Sequence, residues 1–120
     1  MTVPRIGVTP GDPGGIGPEI VVKTLSRPSV LPPAAYVLFA DPRIVVAEEE
    51  RLGLRLAARQ WRPDVPLEAG VYIAPVPAPG WTAVHGRALA ENGEASFRFF
   101  ETAVAGARNG RLEGVVTAPI

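Results

Sequence analysis

Cysteine is absent from these 120 residues, which excludes a disulfide framework, a thiolate metal site and a cysteine nucleophile. There is one histidine, and a lone imidazole makes a poor metal centre. Neither sign of charge is in excess, because 12 Lys plus Arg balance 12 Asp plus Glu. No long-range attraction toward nucleic acid or anionic lipid results, so neither is expected as a partner. No apolar run approaches the roughly 20 residues of a membrane span, and Met1-Thr-Val-Pro-Arg5 has no apolar signal-peptide core. A soluble cytoplasmic protein is the expectation. Aromatic residues make up only 7% of the chain.

What the chain has in plenty is glycine and proline, 13 and 14 residues. That is nearly double the usual share of about 12%, so the backbone turns often. Between the turns lie runs of Val, Ile, Leu, Phe and Ala that can build a core, which separates the chain from disordered sequences. Arg5-Ile-Gly-Val-Thr9 reads as a strand running into the tight loop Pro10-Gly-Asp-Pro-Gly-Gly15. A helix follows from Pro18, with Ile20, Val21 and Leu25 as its apolar positions, and Pro28 closes it. Tyr36–Ala40 reads as a buried strand. Asp41-Pro42 then supplies an N-cap and first-turn proline for a helix to Leu52, with Gly53 as its left-handed terminator.

Leu54, Leu56 and Ala58 alternate with Arg55, Ala57 and Arg59, predicting a strand with one polar face. Arg62–Pro66 is a loop, Val71–Val76 a strand and Pro77–Gly80 a turn. From Asn92 to Arg108 the spacing of Phe97, Phe100, Val104 and Ala107 predicts an amphipathic helix with these residues on its buried face. Glu94 precedes Arg98 by four residues, the favourable order for a helical ion pair. Asn109-Gly110 stops the helix, and Leu112–Thr117 reads as a central strand. Strands alternating with helices predict an α/β fold, a mostly parallel sheet with helices on both faces. The chain is expected to be an incomplete domain, since a buried strand normally hands over to a covering helix.

The informative stretch is Thr9-Pro-Gly-Asp-Pro-Gly-Gly-Ile-Gly-Pro-Glu-Ile20. Gly11, Gly14, Gly15 and Gly17 permit close backbone approach, and the following helix aims its positive end at the loop, as in an anion or dinucleotide cradle. A tight turn that binds nothing accounts for the same spacing. Neither the Gly-Lys-Ser/Thr of a P-loop nor the Gly-x-Gly-x-x-Gly of a dinucleotide fold is present. Asp41 could stand in for a ribose-binding acid, but its N-cap role is a sufficient explanation. His85 reads as an ordinary loop histidine, Trp61 and Trp81 as packing residues, and Glu48-Glu49-Glu50 as a solvated helix face.

Gly11-Asp-Pro-Gly-Gly-Ile-Gly-Pro-Glu19 resembles the signature Gly-Asp-Pro-Ala-Gly-Ile-Gly-Pro-Glu of the 4-hydroxythreonine-4-phosphate dehydrogenases of pyridoxal 5′-phosphate (vitamin B6) biosynthesis, departing only at Gly14. The corresponding loop of isocitrate and isopropylmalate dehydrogenases is two residues shorter. The resemblance continues through Ala40-Asp41, Leu52-Gly-Leu54, Glu91-Asn-Gly93 and Val116-Thr-Ala-Pro-Ile120, so it covers the chain. It implies the N-terminal segment, residues 1–120, of an oxidoreductase with the isocitrate/isopropylmalate dehydrogenase type of fold. Such an enzyme uses NAD or NADP and a divalent metal (Zn, Mg or Co) to oxidise a small phosphorylated substrate, 4-phosphooxy-L-threonine. The product is 2-amino-3-oxo-4-phosphooxybutanoate, which decarboxylates.

The family is a homodimer with shared active sites. Its three histidine metal ligands and its substrate-phosphate residues lie beyond the Thr-Ala-Pro-Ile segment. This chain is therefore expected to contain no catalytic or metal-ligating residue and to be inactive alone. Gly11, Asp12, Gly14, Gly15 and Gly17 are its expected cofactor contacts. Two alternatives remain: a paralogue acting on four-carbon sugar-acid phosphates or cyclic diol carboxylates, and a non-catalytic nucleotide-binding module.

Overall fold

The computed structural model describes residues 3–81 and 89–119. Strand β1 (Arg5–Thr9) leads into helix α1 (Gly17–Leu25), and β2 (Ala35–Ala40) into α2 (Pro42–Leu52). The short β3 (Arg59–Gln60) and β4 (Gly70–Pro75) precede α3 (Ala90–Arg108) and β5 (Gly114–Thr117). The strands form one parallel sheet in the order β3-β4-β2-β1-β5. Parallel neighbours need crossovers, and α1 and α3 supply two of them.

Helices cover both faces, as the alternation predicts. On one face Val21, Val22 and Leu25 of α1 and Val45 of α2 pack with Val8 and Leu38. On the other, Ala95, Phe99 and Ala103 of α3 pack with Val37, Phe39, Tyr72 and Ala74. Trp61 meets Phe39 edge to face with ring centroids 5.3 Å apart, the packing role read from its setting. Both ends of α2 follow the sequence reading. The Asp41 side chain accepts from the Arg43 amide, and Gly53 takes the left-handed φ of 66°.

Three expectations are corrected. The buried side of α3 is Asn92, Ala95, Ser96, Phe99, Ala103 and Gly106, while Phe97 is 63% and Phe100 39% exposed. Small residues face the sheet because the helix lies close to it: a Cβ on Gly106 would sit 3.1 Å from Leu112 Cδ1, and one on Gly7 of β1 only 2.8 Å from the same atom. The alternation over Leu54–Ala58 does not make a strand. Leu54 N–H donates to the Glu49 carbonyl at 3.1 Å and Leu56 N–H to Glu49 Oε2 at 2.9 Å, and Ala57 has a positive φ of 50°. The segment is thereby tied to the end of α2, and pairing with β4 is confined to Arg59–Gln60.

The strand expected at the centre, β5, lies at an edge and pairs only with β1 among the described residues. The chain runs from β1 to β2 and β4 in one direction, and α3 then carries it back across β1.

Gly93 lies in α3 with helical backbone, exposed, and a Cβ there would meet nothing within 4 Å. Gly93→Ala is expected to raise stability by about 0.5–1 kcal/mol, because glycine loses the most backbone freedom in a helix. Urea unfolding would show a higher midpoint at unchanged slope.

Candidate functional site at the glycine loop

The reversal of strand order at β1 makes its carboxyl end a topological switch point, where open parallel sheets form a crevice suited to ligands. The loop after β1 and the segment after β5 meet there. Ala118 N–H donates to the Thr9 carbonyl at 2.9 Å. Gly11, with φ of 70°, lies so close to the Pro119 carbonyl oxygen that a Cβ would collide with it. Gly17 is closer still to the Pro10 carbonyl oxygen, with Ala118 Cβ 3.2 Å from where a Cβ would stand. Both glycines are thus required by the chain's own backbone.

Asp12 organises the turn between them. Its Oδ1 accepts from the Gly14 amide at 2.7 Å, and its carbonyl from the Gly15 amide at 2.9 Å, a side-chain turn typical of aspartate. Gly15 differs from the other glycines: it is half-buried, has no positive φ, and a Cβ would meet Asp12 O at an ordinary 3.4 Å. The outward rim of the loop is therefore Asp12, Gly15 and the 64% exposed Ile16.

All five expected contact residues lie in this one loop at the switch point, and each has an internal role, that of Gly15 resting on its amide alone. The Gly14 and Gly15 amides both donate to Asp12 within the loop. Beyond the rim lies the start of α1, where Pro18 brings no N–H. The one acid in that first turn, Glu19, is drawn away toward the neighbouring helix. Its carboxylate pairs with Lys23 at 2.9 Å and Arg51 at 2.5 Å, and hydrogen bonds from Lys23 and then Arg51 lower its pKa to about 2.

Asp41, at the carboxyl end of β2, is a structural residue. Its Oδ1 accepts from the Arg43 amide at 3.0 Å, its Oδ2 from the Ala78 amide at 3.0 Å, and the Arg43 guanidinium bonds both oxygens. It thereby ties the β2–α2 turn to the loop after β4, with no oxygen left for a ribose, in keeping with the N-cap reading. Arg43, whose guanidinium lies 5.7 Å from the Trp81 ring centroid, is the main cause of the fall in the Asp41 pKa to about 2, followed by the two backbone amides working against desolvation.

A folded-state pKa below the ordinary 3.8 means stabilisation that is complete above about pH 4 and lost as pH falls toward 2. Asp41→Asn is expected to cost about 1–2 kcal/mol at pH 7, discounted because Arg43 is largely exposed. The difference from the parent should shrink toward pH 2 in acid-dependent unfolding.

The acidic triplet is not one solvated face. Glu48 is 5% exposed and pairs with Arg51 at 2.8 Å, Glu49 holds the Leu56 amide, and Glu50 is exposed. Among the described residues no three His, Cys, Asp or Glu are grouped to hold a metal ion, so they do not fit the divalent metal that the resemblance implies. His85 lies outside the described residues.

Two features of this end of the sheet escape sequence reasoning. The Thr9 hydroxyl is buried at the end of β1 with no hydrogen-bond partner among the described residues, and the link from Asp41 to Ala78 spans 37 positions. Neither leaves a local sequence signal.

No family model matches the chain. The sequence is 35% identical over 129 residues to the 4-hydroxythreonine-4-phosphate dehydrogenase of Thioalkalivibrio sulfidiphilus, covering 99% of this chain and 36% of that one. It is 33% identical over 124 residues to that of a Synechococcus species (strain JA-3-3Ab), covering 100% and 34%. Over its whole length this chain is similar to 4-hydroxythreonine-4-phosphate dehydrogenases. The resemblance read from the nonamer is thereby shown, and the chain spans about a third of the length of these relatives.

A 4-hydroxythreonine-4-phosphate dehydrogenase from Burkholderia phymatum superposes with a TM-score of 0.78 at 23% identity, over 99% of this chain and 37% of that one. The α/β fold, of the isocitrate dehydrogenase-like type, is as expected. Similarity also extends to the D-threonate 4-phosphate dehydrogenase of Cupriavidus necator, at 32% identity over 126 residues, covering 98% of this chain and 36% of that one. A terephthalate 1,2-cis-dihydrodioldehydrogenase from Burkholderia xenovorans superposes with a TM-score of 0.70 at 25% identity, over 96% and 33% of the two chains. The relatives and solved structures named above are dehydrogenases by name.

Proposed function

We propose that this chain is the N-terminal part of an NAD(P)-dependent 4-hydroxythreonine-4-phosphate dehydrogenase. The supporting observation is similarity along the whole chain to enzymes of that name, with the signature loop seated at the switch point of the sheet. The secondary alcohol at C3 of 4-phosphooxy-L-threonine is oxidised to a ketone: the hydrogen on C3 passes as hydride to NAD or NADP, and the hydroxyl proton passes to solvent. The resulting β-keto acid, 2-amino-3-oxo-4-phosphooxybutanoate, loses carbon dioxide on the way to pyridoxal phosphate. No metal-dependent step is assigned to this chain, whose described residues offer no ligand set. In this reading the protein is cytoplasmic and works as a homodimer when joined to the remaining two thirds of the enzyme.

The loop contributes shape, and its cofactor contact is the rim at Gly15, while Gly11, Asp12, Gly14 and Gly17 hold that rim in place. Gly15→Val in the intact enzyme should weaken NAD binding at unchanged thermal stability; unchanged affinity would sink the contact. The D-threonate 4-phosphate dehydrogenase relative favours one second reading, a paralogue acting on a four-carbon sugar-acid phosphate.

A single assay series separates these readings. Formation of reduced nicotinamide is followed with 4-phosphooxy-L-threonine and with D-threonate 4-phosphate, for the intact enzyme and for the 120-residue chain. Turnover of the first substrate by the intact enzyme alone is expected. Turnover of only the second moves the assignment to the paralogue, and NAD binding without turnover in either form marks a non-catalytic module. Activity of the 120-residue chain itself would overturn the proposal that its catalytic ligands lie elsewhere.

A further inference from the structure

Two threonines end the strands that flank the switch point. Thr9 closes β1 and Thr117 closes β5, and the two are partners in the parallel register. Neighbouring strands lie about 4.8 Å apart, and register partners put their side chains on the same face of the sheet. That face is the one covered by α3, because Val8 packs with α1 and alternation turns Thr9 to the other side. The bond from Ala118 N–H to the Thr9 carbonyl, at 2.9 Å, holds the two strand ends together.

The two hydroxyls differ in what they can offer. Thr117 is exposed and its hydroxyl donates to the Ala118 carbonyl at 3.0 Å, so it presents lone pairs as an acceptor. Thr9 is 1% exposed and its hydroxyl has no partner among the described residues, so it presents a donor. A buried donor without an acceptor is destabilising. No hydrogen bond keeps the Thr9 hydroxyl from turning about its Cα–Cβ bond toward Thr117.

One donor beside one acceptor is the complement of a carboxamide, which carries a carbonyl oxygen and an NH2 group side by side. A phosphate or carboxylate fits less well, since its oxygens all call for donors. We propose that this pair binds the carboxamide of the nicotinamide ring, Thr9 donating to its carbonyl oxygen and Thr117 accepting from its NH2 group. The inference rests on the dehydrogenase reading above and assigns the hydride-accepting ring, rather than the remainder of the dinucleotide, to the ends of β1 and β5.

The test is calorimetric titration of the intact enzyme with NAD(P) and with the matching fragment that lacks the nicotinamide ring, ADP-ribose or its 2′-phosphate. Thr9→Val, close in shape but without the hydroxyl, is expected to weaken NAD(P) binding about fivefold or more, as for one lost hydrogen bond, and to leave binding of the fragment unchanged. Thr9→Ser keeps the hydroxyl and should bind NAD(P) as the parent does. Thermal stability of the 120-residue chain should not fall in Thr9→Val, since the hydroxyl makes no bond within it. If Thr9→Val fails to fold, Thr117→Val at its exposed position takes its place in the titrations. Unchanged NAD(P) affinity in the folded valine variant, equal losses for NAD(P) and the fragment, or equal losses in Thr9→Ser and Thr9→Val would overturn the assignment and leave the dehydrogenase reading standing. A parent enzyme that binds neither compound would overturn that reading, and the assignment with it.

Discussion

Replacing Phe99 by alanine is expected to remove about 3–5 kcal/mol of stability, the range for emptying a large aromatic site in a core. Phe99 is fully buried on the sheet-facing side of α3, where it packs in the same cluster as Phe39 and Ala74. Against the usual 5–15 kcal/mol of a domain, the loss leaves a marginal fold. Phe97→Ala, two residues away, should stay within about 0.5 kcal/mol because that ring is exposed. Paired urea titrations read the orientation of the helix directly. Equal effects, or the reverse order, would mean that α3 presents to the sheet the stripe its phenylalanine spacing suggests.

The second large effect is expected at Gly17. A methyl group there is driven against the Pro10 carbonyl oxygen, a backbone atom that cannot rotate away. Gly17→Ala is therefore expected to cost about 3 kcal/mol, the upper end for overpacking. Gly15→Ala, in the same loop but with ordinary clearance from Asp12 O at 3.4 Å, should change stability by less than about 0.5 kcal/mol. If the two substitutions cost the same, the loop is not held by close approach of backbone to backbone. Thermal unfolding of the pair, monitored by circular dichroism, makes the comparison.

Much of this architecture is legible before any coordinates. The strand at Arg5–Thr9, the proline start of α1, and the Asp41-Pro42 and Gly53 ends of α2 are local signals, and local chemistry places them correctly. The glycine loop is legible as a loop at a strand end, and the family resemblance read from the nonamer agrees with the names of the relatives.

What resists reading is non-local. Phe97, Phe100 and Val104 do form an apolar stripe, but periodicity alone cannot tell which stripe meets the sheet. That is set by how closely Gly7 and Gly106 let the two elements approach around Leu112. The edge position of β5 follows from the direction of a crossover, and the short extent of β3 from Glu49 reaching forward seven residues to Leu56. Within the site, spacing leaves two roles open for the glycines, and only the nearness of Pro10 and Pro119 assigns Gly17 and Gly11 to the chain's own packing.

The position of β1 also bears on how the chain folds. Arg5, at its start, bonds Glu113 across 108 positions, and its second partner strand, β5, comes after the other described strands in the sequence. The inner strand of the sheet therefore stays half-paired until β5 is in place. Contacts of such separation slow the search for the native state, and until they form, the glycine loop has no Pro119 carbonyl to rest against. Closure of β5 onto β1 is therefore expected to limit refolding, so that substitutions weakening that pairing slow folding more than those that loosen α2.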